Sequence, residues 1–171
     1  MKNKVTVLKK NNKFLVKETP KFSPLLQKDF GEKNSDGIVE LSLLETLYLL
    51  MKDKIKLFDT KEQEISYQEL LEKSTKFSFK EYQVYKDLRN KGHRVKSGMK
   101  YGFTFRVYEK GTEKDQHSRW LIEVVEDRKK ELYKNIAAKN RIAHSTRKEA
   151  IFAIVDDESS IVYINTMWKK L

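Results

Sequence analysis

Apolar residues recur along this chain with two periods, and each period predicts elements. Val5 to Leu8 and Lys13 to Val16 alternate around Lys10-Asn11-Asn12, which predicts two short strands joined by a turn. Pro20, Pro24, Gly31 and the run Asn34 to Gly37 break the next segment, which is expected to be irregular. Ile38-Val39-Glu40-Leu41 reads as a strand or extended entry to a helix. Ser42-Leu43-Leu44-Glu45 fits a capping box: the serine accepts from the third amide and the glutamate reaches back. Leu44, Leu47, Tyr48 and Met51 then follow at helical spacing. Ile55, Leu57 and Phe58 predict a strand. Ser66 to Glu69 and Ser78 to Glu81 are two further capping boxes. The helix after Ser78 carries Tyr82, Tyr85 and Leu88 on one side and stops near Gly92.

The pattern changes after residue 92. Arg94-Val95-Lys96 predicts a short strand. Phe103, Phe105 and Val107 alternate with Thr104, Arg106 and Tyr108, so a strand with a Phe face in the core turns Arg106 and Tyr108 the other way. Trp120 to Val125 is the next strand. Asp127 can cap a helix whose expected inner face uses Leu132, Ile136 and Ala143. Ala150 to Val155 is a continuous apolar run, expected of a central strand buried on both faces. Asp156 to Ser160 turns the chain, and Ile161 to Ile164 pairs back as a hairpin. The expected architecture is α/β (α+β): a small N-terminal α/β domain, residues 1–76, and a C-terminal mixed-sheet domain with flanking helices, residues 77–171.

Charge narrows the function. The net charge is +11 and the isoelectric point about 9.6. That points first to a polyanion, either nucleic acid or an anionic membrane. No apolar run approaches the ~18 residues of a membrane span, and the N-terminus lacks the apolar core of a signal peptide, so a cytoplasmic protein is expected. The absence of cysteine removes disulfides and thiolate metal sites. The three histidines form no metal-ligand spacing. A restriction-type nuclease needs a clustered Asp/Glu-x-Lys frame, and the carboxylates of Glu123 to Asp127 do not supply one.

Tyr108 falls at the end of one predicted strand, His117 just before the next, and Lys148 between the last helix and the buried strand. A phenol, an imidazole and an ammonium together can run phosphodiester transesterification without metal. One group takes the proton of a ribose 2′-hydroxyl, another protonates the departing 5′-oxygen, and a cation stabilises the phosphorane. The constellation is weakly specific on chemistry alone, because all three residue types are common.

Lys100-Tyr101-Gly102, Phe105-Arg106-Val107-Tyr108, His117-Ser118 and Arg141-Ile142-Ala143-His144-Ser145-Thr146-Arg147-Lys148, in this order, resemble the archaeal tRNA-splicing endonuclease family. The resemblance covers Phe79 to Leu171 best. It implies a C-terminal nuclease domain in which Tyr108 is the general base, His117 the general acid and Lys148 the stabilising cation. No cofactor and no metal are implied. A free tyrosine titrates near pH ~10, so a cation is expected beside Tyr108, with Lys148 first and Arg106 second. His93 and His144 are expected to be structural. The resemblance further implies that Arg141 and Trp168 clamp a bulged RNA base in a neighbouring subunit's site. An acidic loop with Glu113 and Asp115, and the strand Ile161 to Ile164, would serve assembly of a homotetramer, a dimer of dimers. The implied substrate is precursor tRNA, cut at both intron junctions inside a bulge-helix-bulge.

Overall fold

The computed structural model describes residues 4–74, 78–112, 116–126 and 133–169. The chain divides into two compact units, Met1–Phe77 and Ser78–Leu171, each with mixed α/β content. Among the described residues, no helix is long and apolar enough to cross a membrane.

The first unit is a six-stranded sheet. β1 (Val5–Lys10) and β2 (Lys13–Lys17) are antiparallel, with Leu8 opposite Leu15. Asn11 and Asn12 both hold positive φ, 50° and 61°, the backbone a two-residue hairpin turn requires. The segment expected to be irregular is more ordered than its prolines suggest. It holds a one-turn helix, α1 (Ser23–Gln27), and a two-residue strand, β3 (Glu32–Lys33). Pro24 lies in the first turn of α1, where its missing N–H has no helical partner to lose. Gly31 has φ of +76°, and a Cβ there would come within 2.4 Å of Val39 Cγ1. β3 then pairs with β4 (Ile38–Leu41), which pairs with β2. β5 (Ile55–Phe58) runs parallel to β1, and a short β6 (Glu64–Ile65) closes the order β3-β4-β2-β1-β5-β6. Val7, Val39, Leu47 and Leu57 are fully buried at its core.

The three expected capping boxes differ in outcome. At α2 (Leu43–Met51) both halves form: Ser42 Oγ accepts from Glu45 N, and Glu45 Oε2 accepts from Ser42 N at 2.8 Å. At α3 (Tyr67–Lys73) and α4 (Phe79–Asn90) only the serine half forms. Glu69 instead accepts from Lys73 at 2.7 Å, one turn along the same helix.

The second unit is a five-stranded sheet of order β11-β10-β9-β8-β7. Its strands are β7 (Arg94–Ser97), β8 (Phe105–Tyr108), β9 (Trp120–Glu126), β10 (Glu149–Val155) and β11 (Ile161–Thr166). β9 and β10 are parallel, and the connection between them contains α5 (Tyr133–Ser145). The other neighbours pair antiparallel, including the expected β10–β11 hairpin. β10 buries side chains of both parities, Ala150 and Phe152 as well as Ala153 and Val155. The expected cap Asp127 and inner-face Leu132 lie outside the described residues.

The Phe face divides differently from its alternation. Phe105 meets Tyr85 of α4, ring centroids 6.1 Å apart. Phe103 packs instead with Leu121, Ala143 and Ala150, the layer beneath α5. The reason is local. A 3₁₀ turn, Met99–Tyr101, ends at Gly102 with φ of +72°, and β8 begins only at Phe105, so Phe103 is not on the strand's period.

Candidate active site

The register of three strands sets the site. Val107 stands opposite Trp120, and Trp120 opposite Glu149. One step further out the ladder continues: Arg119 N donates to Val107 O at 3.0 Å, and Glu149 N donates to Arg119 O at 3.0 Å. Tyr108, Arg119 and Lys148 therefore stand at the ends of adjacent strands, with His117 two residues before Arg119. Strand spacing separates the β8 and β10 backbones by about 10 Å, a span that side chains can bridge.

Tyr108 is 9% exposed. Arg94 is paired with it across β7 and β8, and that guanidinium lies 4.3 Å from the Tyr108 ring centroid. Arg94 is itself 9% exposed and donates to Thr112 Oγ1 at 3.3 Å. The cation expected beside Tyr108 was Lys148 or Arg106; Arg94 is the one on its ring. Arg106 is half-buried, and its buried Nε has no hydrogen-bond partner among the described residues. His93 Nδ1 is 3.0 Å from the Tyr108 carbonyl oxygen, and its ring meets Trp120 edge-on at 5.4 Å. His93 thus holds the backbone that carries the phenol.

His117 is exposed, while the adjacent Ser118 is buried. His144 is exposed near the end of α5. Lys148 is half-buried where the α5 turn meets β10; its N donates to Ala143 O at 2.8 Å and its Nζ to Thr146 O at 3.3 Å. That Nζ lies 5.6 Å from the Tyr101 ring centroid, and Tyr101 packs on the Phe103 cluster. An ammonium seated on an aromatic face is attracted by the ring quadrupole, which restricts a flexible stem.

Two groupings escaped the sequence. Arg94 beside Tyr108 requires the β7–β8 pairing, which alternation alone does not give. Arg119 bridges Glu109, at 2.8 Å, and Glu149, at 3.0 Å. Glu149 is held below the ordinary carboxylate range, mainly by the hydrogen bond from Arg119, and Arg119 is raised in turn, mainly by Glu149.

Arg141 and Trp168, expected to clamp an RNA base between them, lie against each other here: the guanidinium carbon is 5.1 Å from the indole ring centroid. Both are exposed, Trp168 by 43%. Glu113 and Asp115 lie outside the described residues.

Comparison with known proteins covers both units. Residues 79–163 match the family model for the tRNA intron endonuclease catalytic C-terminal domain, and residues 7–71 that for the tRNA intron endonuclease N-terminal domain. A tRNA-splicing endonuclease of Thermococcus onnurineus is 43% identical over 145 residues, 82% of each chain. One from Methanococcus vannielii is 40% identical over 152 residues, 87% of this chain and 85% of the relative. One from Pyrococcus furiosus is 40% identical over 149 residues, 85% and 84% respectively.

Proposed function

The chain belongs to the tRNA intron endonuclease family, and from that premise we propose that it cuts precursor tRNA at both intron junctions, inside a bulge-helix-bulge, without metal. Membership makes it an endoribonuclease of tRNA splicing, a tRNA-intron lyase. In the proposed reaction Tyr108 takes the proton of the 2′-hydroxyl at the junction. The 2′-oxygen bonds to the adjacent phosphorus, and the bond from phosphorus to the 5′-oxygen breaks. His117 gives its proton to that leaving oxygen, and Lys148 stabilises the charge on the phosphorane. The products are a 2′,3′-cyclic phosphate and a 5′-hydroxyl.

The observation that carries this reading is the continuous register from Val107 through Trp120 to Glu149, because it gathers the strand ends of all three residues. Residues 77–171 are the catalytic part, and residues 1–76 serve assembly. Arg141 and Trp168 offer two stacking planes for a bulged base of a neighbouring subunit's substrate. The assembly is a homotetramer, a dimer of dimers in which Ile161 to Ile164 pairs across the dimer, and a cytoplasmic location goes with its substrate. Light-scattering mass tests the assembly.

The test of the reaction is incubation with a bulge-helix-bulge RNA in EDTA. Cleavage at both junctions with cyclic phosphate ends is expected. No cleavage, or 3′-hydroxyl ends, overturns the proposal. Strict dependence on magnesium would favour a metal nuclease. Affinity should fall with salt, because phosphate neutralisation releases counterions.

A further inference from the structure

Arg119 occupies a singular place between the strand ends. Glu109 directly follows Tyr108, and Glu149 directly follows Lys148. Arg119 Nη1 donates to Glu109 Oε1 at 2.8 Å, and its Nε donates to Glu149 Oε1 at 3.0 Å. Its guanidinium also lies 5.0 Å from the Trp120 ring centroid. The other oxygen of Glu149 accepts from Asn165 Nδ2 of β11 at 3.1 Å. The side chains thus tie the ends of β8, β9, β10 and β11 at the level where the backbone ladder stops.

We infer that Glu109, Arg119 and Glu149 form an ion-pair staple that fixes the spacing of the strand ends bearing Tyr108, His117 and Lys148, with Arg119 as a positioning residue. The inference rests on the reaction proposed above. Two other roles fit the geometry less well. A phosphate contact is disfavoured, because one cation between two carboxylates leaves the cluster net negative. A purely stabilising role is disfavoured, because the three side chains are 49%, 50% and 36% exposed, and exposed ion pairs add little to stability. What an exposed pair can still do is select one geometry. Arginine suits this: its planar fork presents donors on separate edges, so two carboxylates from different strands are held at a fixed angle. A lysine ammonium lacks that rigid fork. Tyr108, His117 and Lys148 leave three separate strand ends, and a displacement of about 1 Å among reacting groups costs up to ~100-fold in rate.

The test separates rate from affinity. Single-turnover cleavage of the bulge-helix-bulge RNA at saturating protein, RNA binding, and thermal unfolding are measured for Arg119→Met, Arg119→Lys, Glu149→Gln and the double variant Arg119→Met with Glu149→Gln. Arg119→Met is expected to cut about tenfold more slowly, with RNA affinity and unfolding temperature little changed. Arg119→Lys should recover part of the loss. The double variant should be no slower than the slower single one, since both break one interaction. Glu149→Gln, which keeps shape, gives the answer if Arg119→Met does not fold.

An unchanged cleavage rate, additive losses, or a loss confined to RNA affinity overturns the staple. A native protein that does not cut overturns the proposed reaction as well. One that cuts normally while the Arg119 and Glu149 variants match its rate overturns the staple alone.

Discussion

In residues 4–74 the ion pairs mostly join close or facing exposed positions: Lys13 with Glu40, Lys56 with Glu64, Lys73 with Glu69. In residues 78–169 several charges converge on one end of one sheet. Buried charge differs in the same way. Glu45, 5% exposed in the first unit, accepts from Gly31 N and Ser42 N, so it completes a backbone. Arg94, 9% exposed in the second, covers the ring of Tyr108. The lesson concerns what a charge is attached to. A charge satisfied by local backbone secures a fold, whereas one that spans strand ends sets distances between side chains.

The severest attempt to break that contrast is His117→Ala. Loss of the proposed general acid should lower single-turnover cleavage by about 10²- to 10⁴-fold, with the unfolding temperature unchanged. A residual rate close to the native one would remove the catalytic assignment from the second unit. The mirror experiment is Glu45→Ala. It removes the buried carboxylate and leaves the Gly31 and Ser42 amides without their acceptor, at a cost on the order of 2–4 kcal/mol by urea denaturation.

Tyr163 sharpens the comparison through pH. Its phenol is pushed above the usual tyrosine range, first by burial and then by the hydrogen bond it donates to Asp87 at 2.6 Å. The folded state therefore keeps this proton more tightly than the unfolded state does. Stability should be intact below pH ~10 and fall as pH rises beyond it. Tyr163→Phe should flatten that alkaline limb in urea midpoints taken across pH. The smallest effect belongs to Lys73→Ala, which removes an exposed ion pair of the first unit. Neither unfolding temperature nor cleavage should change measurably.

Much of this molecule can be read from local pattern. The apolar run Ala150 to Val155 is a strand between two others, and Asn11-Asn12 is the turn its residue types demand. Serine caps at 42, 66 and 78 all form. Local rules fail where neighbours decide. Glu69 has Lys73 within reach and leaves the capping box half-made. Phe103 changes layer because Gly102 turns the chain before the strand begins. β3 and β6 are two residues long, too short for any period to register. The places of Tyr108, His117 and Lys148 at strand ends were legible because those strands are strongly patterned, while the roles proposed for them came from the family resemblance and not from the pattern. Arg94 and Arg119 were not, because their partners depend on which strand lies beside which.

The two borders of the second sheet are unlike. β7 is four residues long and carries Arg94 and Lys96, charges of the kind that discourage a further strand. β11 is six residues long and leaves Val162 59% and Ile164 44% exposed. Growth by strand addition is therefore favoured from one border alone. In the proposed dimer, two copies joined through that border by a two-fold axis would each cover the other's more inviting edge of this sheet. This sheet would then terminate at a pair, its charged borders facing outward, and the same asymmetry would work against open-ended strand addition.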